Sequence, residues 1–240
     1  MPSVAAIIIG DEILTGKFAD ENGPFLIRRL RELGADLERL VTISDEVAVI
    51  ADEVRRCAAS YDRVITTGGV GPTHDDRTFE GIAAAFGVGL VERPELVELL
   101  RSYDLPLTEA SLRMARVPEG TELLWGEGAS FPIVCVRGVH VFPGVPKLLQ
   151  AKFAGIAERF AGERMLTERL YTPQRETEIA PVLGAVASEE PSVAIGSYPR
   201  FGEGAYRVIV TLESRDRDAL RRAHDRLAAK LHTVSPGPAE

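Results

Sequence analysis

The sequence predicts an α/β fold: a three-layer, mostly parallel sheet followed by a second, small α/β domain. Three observations carry that expectation. Apolar strand-like runs alternate with amphipathic helical stretches through the first part of the chain, the pattern of a parallel sheet covered on both faces. A glycine-rich segment, Thr66 to Asp76, lies between a strand-like and a helical run, where ligands bind in open α/β sheets. After Gly162 the order changes to strand, helix, strand, strand, helix.

Val4 to Ile9 is an unbroken apolar run and predicts the first strand. From Asn22, Leu26, Leu30 and Leu33 recur at helical spacing, and Gly34 supplies a stop. Leu37 to Ile43 predicts the second strand. Val47, Ile50, Val54 and Ala58 mark the apolar face of the next helix, with Glu53, Arg55 and Arg56 on its wetter side. Arg63 to Thr66 is the third strand, and Phe79, Ile82, Ala83 and Phe86 are the stripe of a third helix ended by Gly87. Pro94 to Ala115 predicts short helices, and Pro118-Glu119-Gly120 a turn. Ile133 to Val136 and Val139 to Phe142 read as strands joined tightly through Arg137-Gly138. A helix from Lys147 to about Phe160, burying Leu148, Leu149, Phe153 and Ile156, closes a first domain at residues 1–162. The second domain, 163–235, reads as strand Leu166 to Tyr171, helix Glu176 to Leu183, strands Ser192 to Ser197 and Ala205 to Glu213, and helix Arg217 to Leu231. Residues 236–240 read as a flexible tail.

A formal charge of −8 on 240 residues counts against nucleic acid and anionic membranes as partners, because the field of the whole molecule repels a polyanion. A phosphorylated small molecule is still admitted, since backbone N–H groups, helix N-termini and a bound cation do not enter the charge sum. Cys57 and Cys135 offer neither a disulfide scaffold nor a zinc cluster, and predict small buried residues in a reducing, cytoplasmic setting. The start shows no basic stretch before an apolar one, and no apolar run approaches a bilayer span. The four histidines, His74, His140, His224 and His232, lack a metal-binding spacing, and there is no Gly-x-Ser-x-Gly elbow.

Chemistry concentrates on one predicted sheet edge. In Thr66-Thr67-Gly68-Gly69-Val70-Gly71-Pro72-Thr73, glycines let consecutive N–H groups converge on an anion, and the following helix adds its positive end. A tight turn would also need those glycines; the strand before and helix after favour phosphate binding. No Lys-Ser/Thr pair follows, so this is not a P-loop. Asp75 and Asp76 come next, one suited to capping and one to a metal. His74 reads equally as a ligand contact and a solvent-facing loop residue, and Arg77 as a surface arginine. The loop after the first strand, Gly10-Asp11-Glu12-Ile13-Leu14-Thr15-Gly16 with Asp20 and Asn22, emerges on the same edge. Its Asp11 and Glu12 suit a hydrated divalent ion such as Mg, Mn or Co, or activation of water, while Asn22 is placed to cap the first helix. Asp45 is a further acidic candidate, equally at home at a helix start. Pro143-Gly144-Val145-Pro146 is a rigid turn able to wall the same pocket.

Taken in order, these motifs resemble the molybdopterin-binding-like domain, and more narrowly the N-terminal domain of competence/damage-inducible protein A and its counterpart in animal FAD synthases. The resemblance covers about residues 4 to 160. Leu170-Tyr171, Glu176, Ile179-Ala180-Pro181 and Gly196-Ser197-Tyr198-Pro199 extend it to the small domain that follows in those relatives. It implies a pocket inferred to bind molybdopterin, and metal-dependent hydrolysis of the pyrophosphate of ADP-ribose or FAD. By position, Thr66 to Thr73 would hold phosphate, Asp11, Asp45 and Asp75 metal, and Glu12 and Asp76 would act in catalysis. Gly10, Gly16, Asp20, Asn22, His74, Pro143, Gly144 and Pro146 would line the pocket. A homo-oligomer is also implied. Relatives carry an asparagine-containing and an Ala-Pro-Gly-Phe-like segment where this chain has Trp125-Gly126-Glu127-Gly128-Ala129-Ser130-Phe131-Pro132, which leaves the ring specificity open. The amidase and adenylyltransferase domains of longer relatives are absent from the sequence. Alternatives are a molybdopterin or nucleotide binding module without chemistry, and adenylyl transfer to a pterin phosphate.

Overall fold

The computed structural model describes residues 2–103, 106–126, 131–202 and 204–236. The chain separates into two compact units, Met1–Gly162 and Glu163–Glu240. In the first, β1 (Ser3–Ile9), α1 (Asp11–Leu14), α2 (Asn22–Leu33), β2 (Asp36–Ile43), α3 (Val47–Ser60), β3 (Arg63–Thr67) and α4 (Thr78–Phe86) follow one another. Then come β4 (Leu90–Glu92), α5 (Pro94–Ser102), α6 (Glu109–Arg113), β5 (Arg116–Pro118), β6 (Glu122–Leu124), β7 (Ile133–Val136), β8 (Val139–Phe142) and α7 (Pro146–Ile156), which tightens into a 3-10 turn at Ala157–Phe160.

The central sheet has the order β2-β1-β3-β8-β7-β6. Pairings are parallel from β2 to β8 and antiparallel beyond. β1 can be continuously apolar because both faces are covered: Ala5, Ile7 and Ile9 pack with α3 and α4, while Val4 and Ala6 pack with α2 and α7. From β1 the chain crosses to β2 on one side, then to β3 on the other. The carboxyl ends of β1 and β3 therefore flank a switch point, the crevice where doubly wound sheets bind ligands. Ile9 pairs with Ile43, Ile8 with Thr67, and Thr67 with Phe142, so the loops after β1, β2, β3 and β8 leave at one height.

Turn residues act where their chemistry demands. Gly34 (φ 77°) and Gly87 (φ 65°) end α2 and α4 in the left-handed region. Arg137 (φ 47°) and Gly138 (φ 82°) form the two-residue link between β7 and β8. Several expectations need correction. The short α1 and the strands β4, β5 and β6 were not anticipated; β4 and β5 form a separate antiparallel pair, so the helical stretch expected to Ala115 stops at Arg113. Leu148 is half exposed rather than buried, because α7 starts at Pro146 and turns that residue away from the core formed by Leu149, Phe153 and Ile156.

The second unit comprises β9 (Leu166–Thr172), α8 (Glu176–Glu189), β10 (Ala194–Pro199), β11 (Val208–Ser214) and α9 (Arg217–Lys230), with sheet order β10-β11-β9, all antiparallel. α8 runs past Gly184 to Glu189, beyond the expected Leu183. Ile179, Val186, Val210, Leu212, Leu220 and Leu227 are central to its own core. Of the expected tail, residues 237–240 lie outside the described residues, as do Glu127 to Ser130 of the Trp125–Pro132 segment. Among the described residues no helix is long and apolar enough to cross a membrane.

Candidate active site at the carboxyl edge of the sheet

A cavity of about 770 Å³ opens where β1, β3 and β8 end. Its floor is the glycine loop, and the reason for glycine differs at each position. At Gly68 (φ 106°) a Cβ would stand 2.0 Å from the Ile9 carbonyl oxygen; at Gly69 (φ 61°), 2.5 Å from Thr78 Oγ1; at Gly71, 2.7 Å from an Asp76 oxygen. Gly144 brings the turn after β8 against Gly68, with only 3.1 Å between its would-be Cβ and Gly68 Cα. Close packing and pocket formation thus draw on the same glycines. α4 fixes the loop from behind: Thr78 Oγ1 donates to the Gly68 carbonyl (2.8 Å) and Thr78 N–H to that of Gly69 (2.9 Å). Among the described residues no acceptor takes the N–H groups of Gly69, Val70 or Gly71, and all three residues line the cavity. Unclaimed amides beside a helix start are the elements of an anion cradle.

Of the two residues that read as possible caps of the first helix, Asp20 takes that role and Asn22, the favoured candidate, does not. Asp20 caps α2, its Oδ1 accepting from Asn22 N–H (2.9 Å) and Gly23 N–H (3.0 Å). Asn22 instead ties loops together: its Nδ2 donates to Gly144 O (2.7 Å) and Thr67 Oγ1 (3.0 Å), and Thr67 Oγ1 donates to Pro143 O (2.9 Å). A carbonyl only accepts, so the Gly144 contact fixes the amide orientation and leaves Asn22 Oδ1 buried without a partner. A capping signal at either residue was legible; a tie reaching across the sheet edge was not, because it depends on residues 45 and 122 positions away.

The acidic residues converge in part. Asp45 Oδ2 accepts from Asp11 N–H (2.9 Å), which links the loops after β1 and β2. Burial pushes the Asp45 carboxyl above the ordinary range, and the neighbouring charges of Asp11, Glu12 and Asp75 add to this, against the hydrogen bond from Asp11. Repulsion of that kind is what a cation relieves, and the oxygen donors suit a hard divalent ion that keeps much of its water. Among the described residues no group of three His, Cys, Asp or Glu side chains is arranged to hold a metal by itself. A divalent ion at Asp45 would therefore need water and ligand oxygens to complete its shell.

Asp76 lines the cavity and is held by Thr73, whose N–H (2.8 Å) and hydroxyl (2.5 Å) both point to Asp76 Oδ2. Those donors are committed, so Thr73 serves to orient Asp76 and not as part of the cradle's lining. Asp75 shares the Thr73 hydroxyl at 2.5 Å, which holds its carboxyl below the usual range. Glu12 also lines the cavity, and among the described residues no donor engages its carboxylate. Asp11, Asp45 and Asp75 lie outside the lining, whereas Thr67, Gly68, Gly69, Gly71, Asp20, Asn22, Pro143, Gly144 and Pro146 are in it. Gly10, Gly16, Thr66, Thr73 and His74 are not: Thr66 is wholly buried beneath the loop, and the His74 side chain is 92% exposed.

Lys152 was missed. It sits on α7 one turn after Leu148, lines the cavity, and donates through Nζ to Phe131 O (2.6 Å) and Pro132 O (3.4 Å). Burial lowers its pKa to about 8. Its i, i+4 spacing from Leu148 was the available signal, disguised because both residues read as an ordinary helix face.

Residues 5–162 match the family model described as probable molybdopterin binding domain, and residues 164–236 that described as FAD synthase, middle domain. A protein of Archaeoglobus fulgidus is 36% identical over 90% of this chain and 93% of its own length. The probable FAD synthase of Caenorhabditis elegans is 32% identical over 91% of this chain, which spans 48% of that enzyme's length. The crystal structure of the protein CinA, of unknown function, from Thermoplasma acidophilum superimposes with a TM-score of 0.61 at 28% identity, covering 66% of this chain and 98% of that one. With the glycine loop, the switch-point cleft and the small second unit all in place, the chain belongs to the molybdopterin-binding-domain family, in the form that carries a FAD synthase middle domain behind it.

Proposed function

We propose that the first unit hydrolyses the pyrophosphate bond of a nucleotide of the FAD or ADP-ribose class, with a divalent cation such as Mg, Mn or Co. The observation that supports this best is the meeting, at one sheet edge, of the unclaimed Gly69 to Gly71 amides with the carboxylates of Glu12, Asp45 and Asp76. The relatives named FAD synthase add a nucleotide as the substrate class.

In this reading the amides hold non-bridging phosphate oxygens and stabilise the charge that grows on them during in-line attack. Asp45, with Asp11 and Asp75 nearby, would hold the divalent ion, which when bound would supply neutralisation of phosphate charge. Glu12, with no donor on its carboxylate, takes a proton from the attacking water. The new P–O bond forms as the bridging P–O bond breaks, giving two monophosphates. Asp76, fixed by Thr73, orients the attacking water. The loop, by excluding side chains, keeps the phosphate against backbone donors that need no reorganisation.

Purified protein mixed with FAD or ADP-ribose and each cation should release FMN plus AMP, or AMP plus ribose phosphate. Glu12→Gln and Asp45→Asn should each lower kcat by about a hundredfold or more, in the range expected for loss of a general base or of a charge-stabilising group. Folded wild-type protein that turns over neither substrate with any of the three ions contradicts hydrolysis. A molybdopterin or nucleotide binding module without chemistry is the second reading, favoured by the lack of a three-carboxylate cluster among the described residues. Tight binding without turnover would select it.

A further inference from the structure

The cavity is unevenly charged. Glu12, Asp20, Glu21 and Asp76 line its acidic side, and Lys152 is the single cation in the lining among the described residues. Among the described residues no carboxylate pairs with Lys152; its ammonium rests on two backbone carbonyls, and one of its three N–H groups has no partner there. Nζ also stands 5.1 Å from the centre of the Phe131 ring. Strand order puts this end of the cavity beside β7, two strand spacings from β3, whose carboxyl end carries the glycine loop, or roughly 10 Å at about 4.8 Å per spacing. A ligand whose phosphates lie over the glycine loop must extend beyond them to reach it.

The walls there decide what can be bound. Phe131 and Pro132 precede β7, Val134 and Val141 pair across β7 and β8, and Leu148 lies one turn before Lys152. A second phosphate in such apolar surroundings would lose its hydration to a single cation, a poor exchange. A flat ring buries its faces on those side chains at a gain, and needs donors only along its polar edge. An ammonium donates and cannot accept, so it suits an edge made of carbonyl oxygens and imine nitrogens, and disfavours one led by an amino group.

We propose that Lys152 is a specificity-determining residue, donating a hydrogen bond to the acceptor-rich edge of a fused heteroaromatic ring, of the isoalloxazine or pterin kind, seated against Phe131 and Leu148. This rests on the nucleotide reading above and deepens it: the ring, not only the pyrophosphate, is selected. The Lys152 pKa near 8 is in keeping with an ammonium that lacks an anionic partner and is served by a neutral acceptor.

The test compares three probes that each carry one phosphate ester and differ in the ring: FMN, neopterin monophosphate and AMP. Calorimetric Kd values are measured for wild type, Lys152→Met and Lys152→Arg in the full chain. The proposal expects wild type to bind FMN or neopterin monophosphate. It expects Lys152→Met to weaken that binding about tenfold or more, the scale of one charge-assisted hydrogen bond, with Lys152→Arg restoring most of it. AMP should change less than about twofold on the same scale, and which of the two ring ligands is lost names the ring. Equal loss for all three probes would show Lys152 to be a prop for the Phe131–Pro132 backbone and overturn the proposal. Unchanged FMN and neopterin phosphate binding in Lys152→Met overturns it too, and leaves the pyrophosphate reading standing. Wild type that binds none of the three sinks both.

Discussion

Gly68 is the residue at which backbone geometry leaves least room. Its φ of 106° disfavours any L side chain, and the Ile9 carbonyl oxygen occupies the place of a Cβ. Gly68→Ala should therefore destabilise the first unit by about 2–4 kcal/mol, combining overpacking with a left-handed φ, and lower its Tm by roughly 5–15 °C. A thermal scan that finds less than a degree of change would show the loop to be looser than its contacts suggest. The need for glycine here was legible from sequence; the reason was not, since the atom in the way belongs to β1. The same holds for Asn22. A polar residue opening a helix reads as a cap, and local spacing contains nothing about Thr67 or the Gly144 carbonyl. Local signals identify which residues are special, and tertiary contacts assign their tasks.

At the scale of elements, long periodic segments were readable and short ones were not. β1, α2, α3 and α4 follow from apolar periodicity because each buries a continuous face. α1 has four residues and β4, β5 and β6 three each, too few for a period to show. Position on the wet face also misled. Glu53 was read as part of the solvent side of α3, yet it is 7% exposed and receives Arg39 Nε at 2.7 Å, with Arg56 at 3.3 Å and the Cys57 thiol at 3.4 Å. Burial alone would raise its pKa; the hydrogen bonds from Arg39 and Cys57 and the two arginine charges outweigh this and leave it lowered. A carboxyl whose folded pKa is depressed adds stability that is complete above its unfolded pKa and is lost as pH falls through the folded value. Glu53→Ala should accordingly cost about 1–3 kcal/mol near pH 7, measured as a urea midpoint, and the deficit should shrink as pH falls below the ordinary glutamate range. A deficit independent of pH would mean that lost packing, not the ion pair with β2, is the cause. Cys57, whose pKa is pushed to about 11 by burial and then by Glu53, is held as an unreactive thiol.

For the whole molecule the central question is how a chain of net charge −8 binds an anion. Its own field opposes approach, so in the proposed function attraction is local and short in range, from backbone dipoles, from the divalent cation proposed for Asp45, and from Lys152 at the far side. The doubly wound topology makes that possible: it brings the loops after β1, β2, β3 and β8 to one height, so that residues scattered from Glu12 to Lys152 share a cleft. Strand order was the least legible part of this, since the alternation of strands and helices is compatible with several orders, whereas the edge on which the loops emerge followed from parallel pairing alone. The direct measurement is a crystal structure of the protein with Mn and a non-hydrolysable α,β-methylene analogue of the dinucleotide, using the anomalous signal to place the ion. The expected result is a manganese peak at about 2.2 Å from an Asp45, Asp11 or Asp75 oxygen, with phosphonate oxygens on the N–H groups of Gly69 to Gly71. A phosphonate bound away from those amides, or a manganese ion bound by none of Asp11, Asp45 and Asp75, would contradict the site assigned to this edge of the sheet.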